Sequence, residues 1–103
     1  MTLIAVVVVY DVSDNDLRRR IEKVCKSYGL AHIQRSVFVG FLKEPERRKL
    51  RVDLENEIEF WEYEGEVSIR IFRMPISEYE KRYVIGWLRD YDDDPKPKTY
   101  EVA

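Results

Sequence analysis

A chain of 103 residues with 45% hydrophobic side chains has the length of one domain and buries about two-thirds of its unfolded surface on folding. Its formal net charge of -2 excludes a uniformly basic surface that coats nucleic acid through counterion release, so binding of that kind needs a local patch. The single cysteine, Cys25, excludes an internal disulfide framework and suits a reducing cytoplasm.

Leu3 to Tyr10 is an apolar run rich in β-branched residues and without polar alternation, which predicts a strand covered on both faces. It is too short to span a bilayer and lacks the basic front and cleavage site of a signal peptide, so the expectation is a soluble, cytoplasmic protein without membrane contact. A helix follows, with Ser13 as N-cap, Asp16 favourable to the helix dipole and Gly29 as the stop. Leu17, Ile21, Val24, Cys25 and Tyr28 form its apolar stripe. Ile33 to Leu42 reads as one long strand or two short ones, with Gly40 marking a bulge or bend.

Pro45 suits the first turn of a second helix, whose buried side is Leu50, Leu54, Ile58 and Trp61 and whose connection ends at Gly65. Val67, Ile69 and Ile71 alternate with Ser68, Arg70 and Phe72 in a further strand halted by Pro75. Tyr83 to Ile85, ending at Gly86, reads as a last short strand. Three successive acids and two prolines beyond Asp90 predict a mobile tail. The division is therefore a domain over residues 1–89 and an acidic tail over 90–103.

This order is the βαββαβ pattern of an α+β, ferredoxin-like domain: an antiparallel sheet, both helices on one face, and an extra C-terminal strand. Helices on one side leave the other face of the sheet to water, yet the first strand is apolar on both parities. A second copy packed sheet to sheet covers that face most simply, so a homodimer is expected.

Few residues suit catalysis. The sequence has no phosphate-cradling glycine loop, no paired His and Cys at zinc spacing, and no Ser, His and Asp set with an elbow motif. Tyr10-Asp11 stands out, at the carboxyl end of a buried strand. An acid there is either a turn residue or, beside a two-fold axis, one of two converging carboxylates that recruit a cation. Magnesium is the natural choice, with manganese as its substitute, because it uses one or two protein carboxylates and fills its other sites with water and phosphate. A water bound to it is activated to attack a phosphodiester.

Two basic groups, Arg18, Arg19, Arg20, Lys23 and Lys26, then Arg47, Arg48, Lys49 and Arg51, lie in the helical patterns. They are solvated faces or phosphate patches. At about 100 degrees per residue, Arg18 and Arg20 flank the apolar stripe and Arg19 points away from it. The flanking pair either reaches toward phosphate or snorkels over the stripe. His32, the only histidine, reads as a surface or satisfied residue rather than a general base.

The strand ending in Tyr10-Asp11, the arginines Arg18 and Arg20, the element Gln34-x-Ser36-Val37-Phe38-x-Gly40 and the late Val84-Ile85-Gly86 together resemble the CRISPR-associated proteins of the second kind, the Cas-two family of small endoribonucleases. The resemblance runs from about Leu3 to Gly86. It implies a homodimer whose last strand often joins the partner's sheet, and a magnesium ion held by Asp11. It also implies support of that acid by Tyr10, Arg18, Arg20 and Phe38, and metal-dependent cutting of single-stranded RNA or of DNA. Family members form a complex with the CRISPR integrase that inserts captured DNA into the CRISPR array. In that role the dimer is a double-stranded-DNA-binding scaffold for which catalysis is dispensable. His32 departs from the arginine often found in the family.

Overall fold

The structure, a computed structural model, describes residues 2–97. The first strand, β1 (Ile4–Val12), leads into helix α1 (Asn15–Ser27). Strands β2 (Ala31–Gln34) and β3 (Val37–Leu42) form a hairpin, helix α2 (Glu44–Trp61) crosses back, and β4 (Val67–Met74) is followed by the short helix α3 (Ile76–Glu80). The sheet runs β2-β3-β1-β4, antiparallel at every pairing. This is the expected ferredoxin-like arrangement. It puts the strand with the most apolar sequence at the centre, bonded on both sides.

The even-numbered side chains of β1 face the helices. Val6, Val8, Tyr10 and Val12 pack there with Phe38 and Leu42 of β3, Leu17, Ile21 and Cys25 of α1, and Leu50 and Leu54 of α2. Each large aliphatic side chain buried in this way contributes about 1.5–3 kcal/mol. The helical stripes fall as their spacing predicts, with Val24, Tyr28 and Trp61 packed at the margin. Among the described residues no helix is long and apolar enough to cross a membrane.

Four local expectations are corrected. The N-cap of α1 is Asp14, not Ser13: Asp14 holds extended backbone angles and its Oδ1 accepts the Leu17 N–H at 2.8 Å. The hydroxyl of Ser13 is engaged elsewhere, 2.7 Å from that of Tyr63. The region from Ile33 to Leu42 is two strands, turned at Arg35 and Ser36, and Ser36 takes a left-handed φ of 64°. The register irregularity lies between His32 and Gln34, while Gly40 pairs regularly with Val6. Gly40 is needed for another reason, since a Cβ there would lie 2.5 Å from Leu30 Cδ2 and 3.3 Å from its Cα.

Tyr83–Ile85 forms no strand in the single chain; it is extended but has no ladder partner, and α3 precedes it. Of the expected tail, Asp92 and Asp94 bond to the domain, and residues 98–103 lie outside the described residues.

The odd-numbered face of β1 is covered in part by the same chain. Tyr79 of α3 buries itself against Ala5 and Val39, with Val7, Ile33, Phe41 and Met74 alongside. Toward the other end of the strand, Phe72 is 50% exposed and stands opposite Val7 in the ladder, next to the Val9–Arg70 pair. The need for cover read from β1 is thus met within one chain only near α3.

Replacing the Asp14 cap with alanine is expected to lower unfolding stability by about 1 kcal/mol, with asparagine retaining most of the loss. Urea denaturation checks this; equal stability of Asp14→Ala and the parent chain would return the cap to Ser13.

Candidate functional site

The alternation of β1 separates the two residues of the Tyr10-Asp11 pair. Tyr10 points into the helix side and is 2% exposed, whereas Asp11 is exposed on the outer face, opposite Ser68 of β4. Asp11 lines a small recess with Ser13, Glu66, Val67 and Ser68. Its polar groups are all oxygen donors, the type that suits magnesium or manganese rather than a soft metal. Among the described residues no three His, Cys, Asp or Glu side chains converge as a metal cluster. One chain therefore offers a partial shell built on Asp11, of the size magnesium uses when water and phosphate complete it.

On the other side of the strand, a polar cluster gathers at the end of the core. The Tyr10 hydroxyl donates to Glu22 Oε2 at 2.7 Å and lies 3.3 Å from His32 Nε2. With its proton committed to Glu22, the phenol oxygen is the acceptor toward the imidazole. The His32 ring stacks on Phe38 at 4.2 Å between centroids and meets the edge of Tyr91 at 5.2 Å. Phe38 in turn lies 6.0 Å from the Tyr10 ring. His32 is thus a satisfied residue, as its sequence setting suggested.

Beside this cluster Arg18, Glu22, His32, Arg35, Ser36 and Tyr91 line an open recess of about 430 Å³. Burial, then the bond to Glu22, pushes the Tyr10 phenol well above its ordinary pKa against the opposing charge of Arg18.

The expected supporting residues therefore divide. Tyr10, Phe38 and Arg18 are brought together behind the strand that carries Asp11. Arg20 is on the opposite flank of α1: its Nε donates to Glu57 Oε2 of α2 at 2.6 Å, and its guanidinium lies over Phe60 and Trp61. Arg19 is solvated and bonds only to Asp16 one turn back.

Sequence reasoning overlooked Glu22, Arg35, Tyr91 and Glu66. Glu22 stands four residues from Arg18, a spacing that places both on one helix face and was the available signal. Tyr91 and Glu66 reach their recesses only through tertiary placement. In the second basic group, Arg47, Arg48 and Arg51 line a groove with Arg73 of β4, where Glu44 and Ile71 also lie.

An antiparallel sheet of this order, helices on one face and an exposed acid closing the central strand define a ferredoxin-like domain with an oxygen-donor site at its sheet face. The chain belongs to the family described as CRISPR associated protein Cas2, whose model matches residues 4–82.

A Cas1/Cas2 endonuclease fusion of Thermoproteus tenax is 51% identical over 37 residues, 36% of this chain and 14% of the relative. The "CRISPR-associated endoribonuclease Cas2 2" of Pyrobaculum aerophilum is 51% identical over 35 residues, 34% of this chain and 38% of the relative. That of Korarchaeum cryptofilum is 40% identical over 45 residues, 44% of this chain and 48% of the relative. The matches thus span less than half of each relative's length. The fold is shared with a crystal structure of Cas2 at a TM-score of 0.64 and 23% identity, covering 94% of this chain and 99% of the other. It is shared also with the hypothetical protein TT1823 of Thermus thermophilus, at 0.60 and 26%, covering 93% and 99%.

Burial, followed by the neighbouring carboxylates, pushes the phenols of Tyr28 and Tyr79 up to about 12. With Tyr10 raised as well, these folded values lie above the unfolded one near 10. The stability they contribute is whole below about pH 10 and is lost as pH rises from there through about 12. An alkaline unfolding series should show this decline, and phenolate absorbance should develop late for these side chains. Tyr10→Phe should weaken the alkaline decline and cost about 1 kcal/mol at neutral pH, the value of one buried hydrogen bond.

Proposed function

We propose that this protein is a homodimeric, magnesium-dependent endoribonuclease of CRISPR defence, working in the cytoplasm on single-stranded RNA and taking part in the integration of new DNA into the CRISPR array. The observation that carries this reading is the position of Asp11. It closes a strand that is otherwise apolar or buried, on the same sheet face as Val9 and the half-exposed Phe72. Cover of that face by a second copy brings the two Asp11 carboxylates toward one axis. The relatives named endoribonuclease support the activity.

In this reading Asp11 of each chain would hold the cation, with Ser13, Ser68 and Glu66 at the rim. The bound ion supplies charge neutralisation at phosphate and an acidified water. Arg18 and Arg35 give the neighbouring recess two cationic side chains for RNA phosphate. Tyr10, raised in pKa and bonded to Glu22, keeps its proton at neutral pH and fixes the strand behind Asp11. Phe38 packs that tyrosine in place. The part of Arg20 is to hold α1 to α2 through Glu57.

The expected outcome for Asp11→Ala is loss of magnesium-dependent cleavage of single-stranded RNA by at least about a hundredfold, the scale of losing a charge-stabilising group. Equal cleavage by variant and parent preparations would remove Asp11 from the mechanism.

A second reading is supported by the Arg47, Arg48, Arg51 and Arg73 groove, which gives a weakly acidic chain one concentrated basic surface. There the dimer is a scaffold that holds double-stranded DNA by its backbone beside the CRISPR integrase, with catalysis dispensable. Arg47→Gln with Arg73→Gln should then lower duplex affinity similarly for all sequences and flatten its salt dependence by about 0.9 per lost phosphate contact. An unchanged salt slope would place the duplex elsewhere.

A further inference from the structure

Residues 82–94 form a closed loop. At its base Arg82 Nη2 donates to Asp94 Oδ2 at 2.9 Å, and the Tyr79 hydroxyl donates to Asp94 Oδ1 at 3.1 Å. Arg82 Nη1 also donates to the Tyr79 carbonyl, and its guanidinium lies 4.2 Å from that ring's centroid. Asp92 then takes the free edge of β2: its N–H donates to the His32 carbonyl and its Oδ2 accepts the His32 N–H, both at 2.9 Å.

Between these anchors the side chains point outward. Tyr83 is 95% exposed, Ile85 97% and Trp87 76%. A cleft of about 540 Å³ separates this stretch from Val7, Ile33 and Val39 of the sheet. A free segment of this composition would lay its apolar side chains on that nearby apolar surface, gaining about 25 cal/mol per Å². The anchors prevent that collapse.

We infer that the Arg82–Asp94–Tyr79 and Asp92–His32 contacts are a clasp that presents residues 83–88, already shaped, to a second copy of this chain. The inference rests on the dimer proposed above. The same chain carries both complements: an extended apolar stretch without a strand partner, and the outer edge of β4, which has no strand beside it among the described residues and carries Phe72 half exposed. Two copies related by a two-fold axis satisfy both at once and leave neither open, as a closed symmetric pair requires. Closing and ordering a loop costs entropy, and the clasp meets that cost before association.

The test is a dilution series of the full chain by sedimentation for the parent, Arg82→Gln, Asp94→Asn and their combination, with circular dichroism to follow folding. Each single change is expected to raise the dimer Kd by about three- to tenfold, the size of one ordering penalty. The combination should be no worse than the stronger single change, because the two residues form one contact. Asp92→Asn, which keeps the backbone bond to His32, should give a smaller rise. A parent chain that stays monomeric throughout overturns the dimer reading itself. A parent dimer whose Kd the variants leave unchanged or lower overturns the clasp alone.

Discussion

The whole arrangement depends on one constraint: β1 is a central strand flanked by β3 and β4, so its backbone bonds are satisfied but both of its side-chain faces need cover. Its even residues obtain cover from α1 and α2, which builds the main core. Its odd residues obtain only part from Tyr79 of α3. Because successive side chains of a strand point oppositely, this same rule sends Tyr10 into the core and Asp11 out to the uncovered face. The chemistry of the site is thus a consequence of parity. A one-residue slip of register would bury the acid and expose the phenol.

Much of this was legible in the sequence because it rests on periodicity. The double-faced apolarity of Leu3 to Tyr10 marked the central strand, and the stripes ending at Tyr28 and Trp61 marked the two helices. The opposite flanks of Arg18 and Arg20 followed from helical angle alone. What escaped reading depended on competition between neighbours. Ser13 and Asp14 are both good caps, and the presence of Tyr63 beside the serine hydroxyl, fixed fifty positions away, decides between them. Gly40 looked like a bend because a lone glycine in a strand has several uses; the one realised here, close approach of Leu30, is a tertiary fact. Tyr83 to Ile85 has strand composition, but within one chain no ladder edge reaches it.

The division of charge is as informative as the fold. The outer face carries the acid and hydroxyls of the Asp11 recess, and the turn between β2 and β3 carries Arg18, Arg35 and the shielded His32. A third region, between α2 and β4, gathers arginines. A chain with a small net negative charge can therefore present separate cationic surfaces to a polyanion, because its acids are drawn into local partnerships. Glu22 is bonded to Tyr10, Glu57 to Arg20, and Asp94 to Arg82 and Tyr79.

The partnership of Arg20 with Glu57 has a consequence for how the helix layer responds to anions. The guanidinium is the ion-pair link between α1 and α2 and is stacked toward Phe60 and Trp61 at the same time. A phosphate that captured Arg20 would have to displace Glu57, leaving that carboxylate facing the incoming negative charge. Anion capture at this position and cross-linking of the helices are therefore mutually exclusive states. Any ligand that reached it would be felt as a loosening of the layer on which the sheet rests.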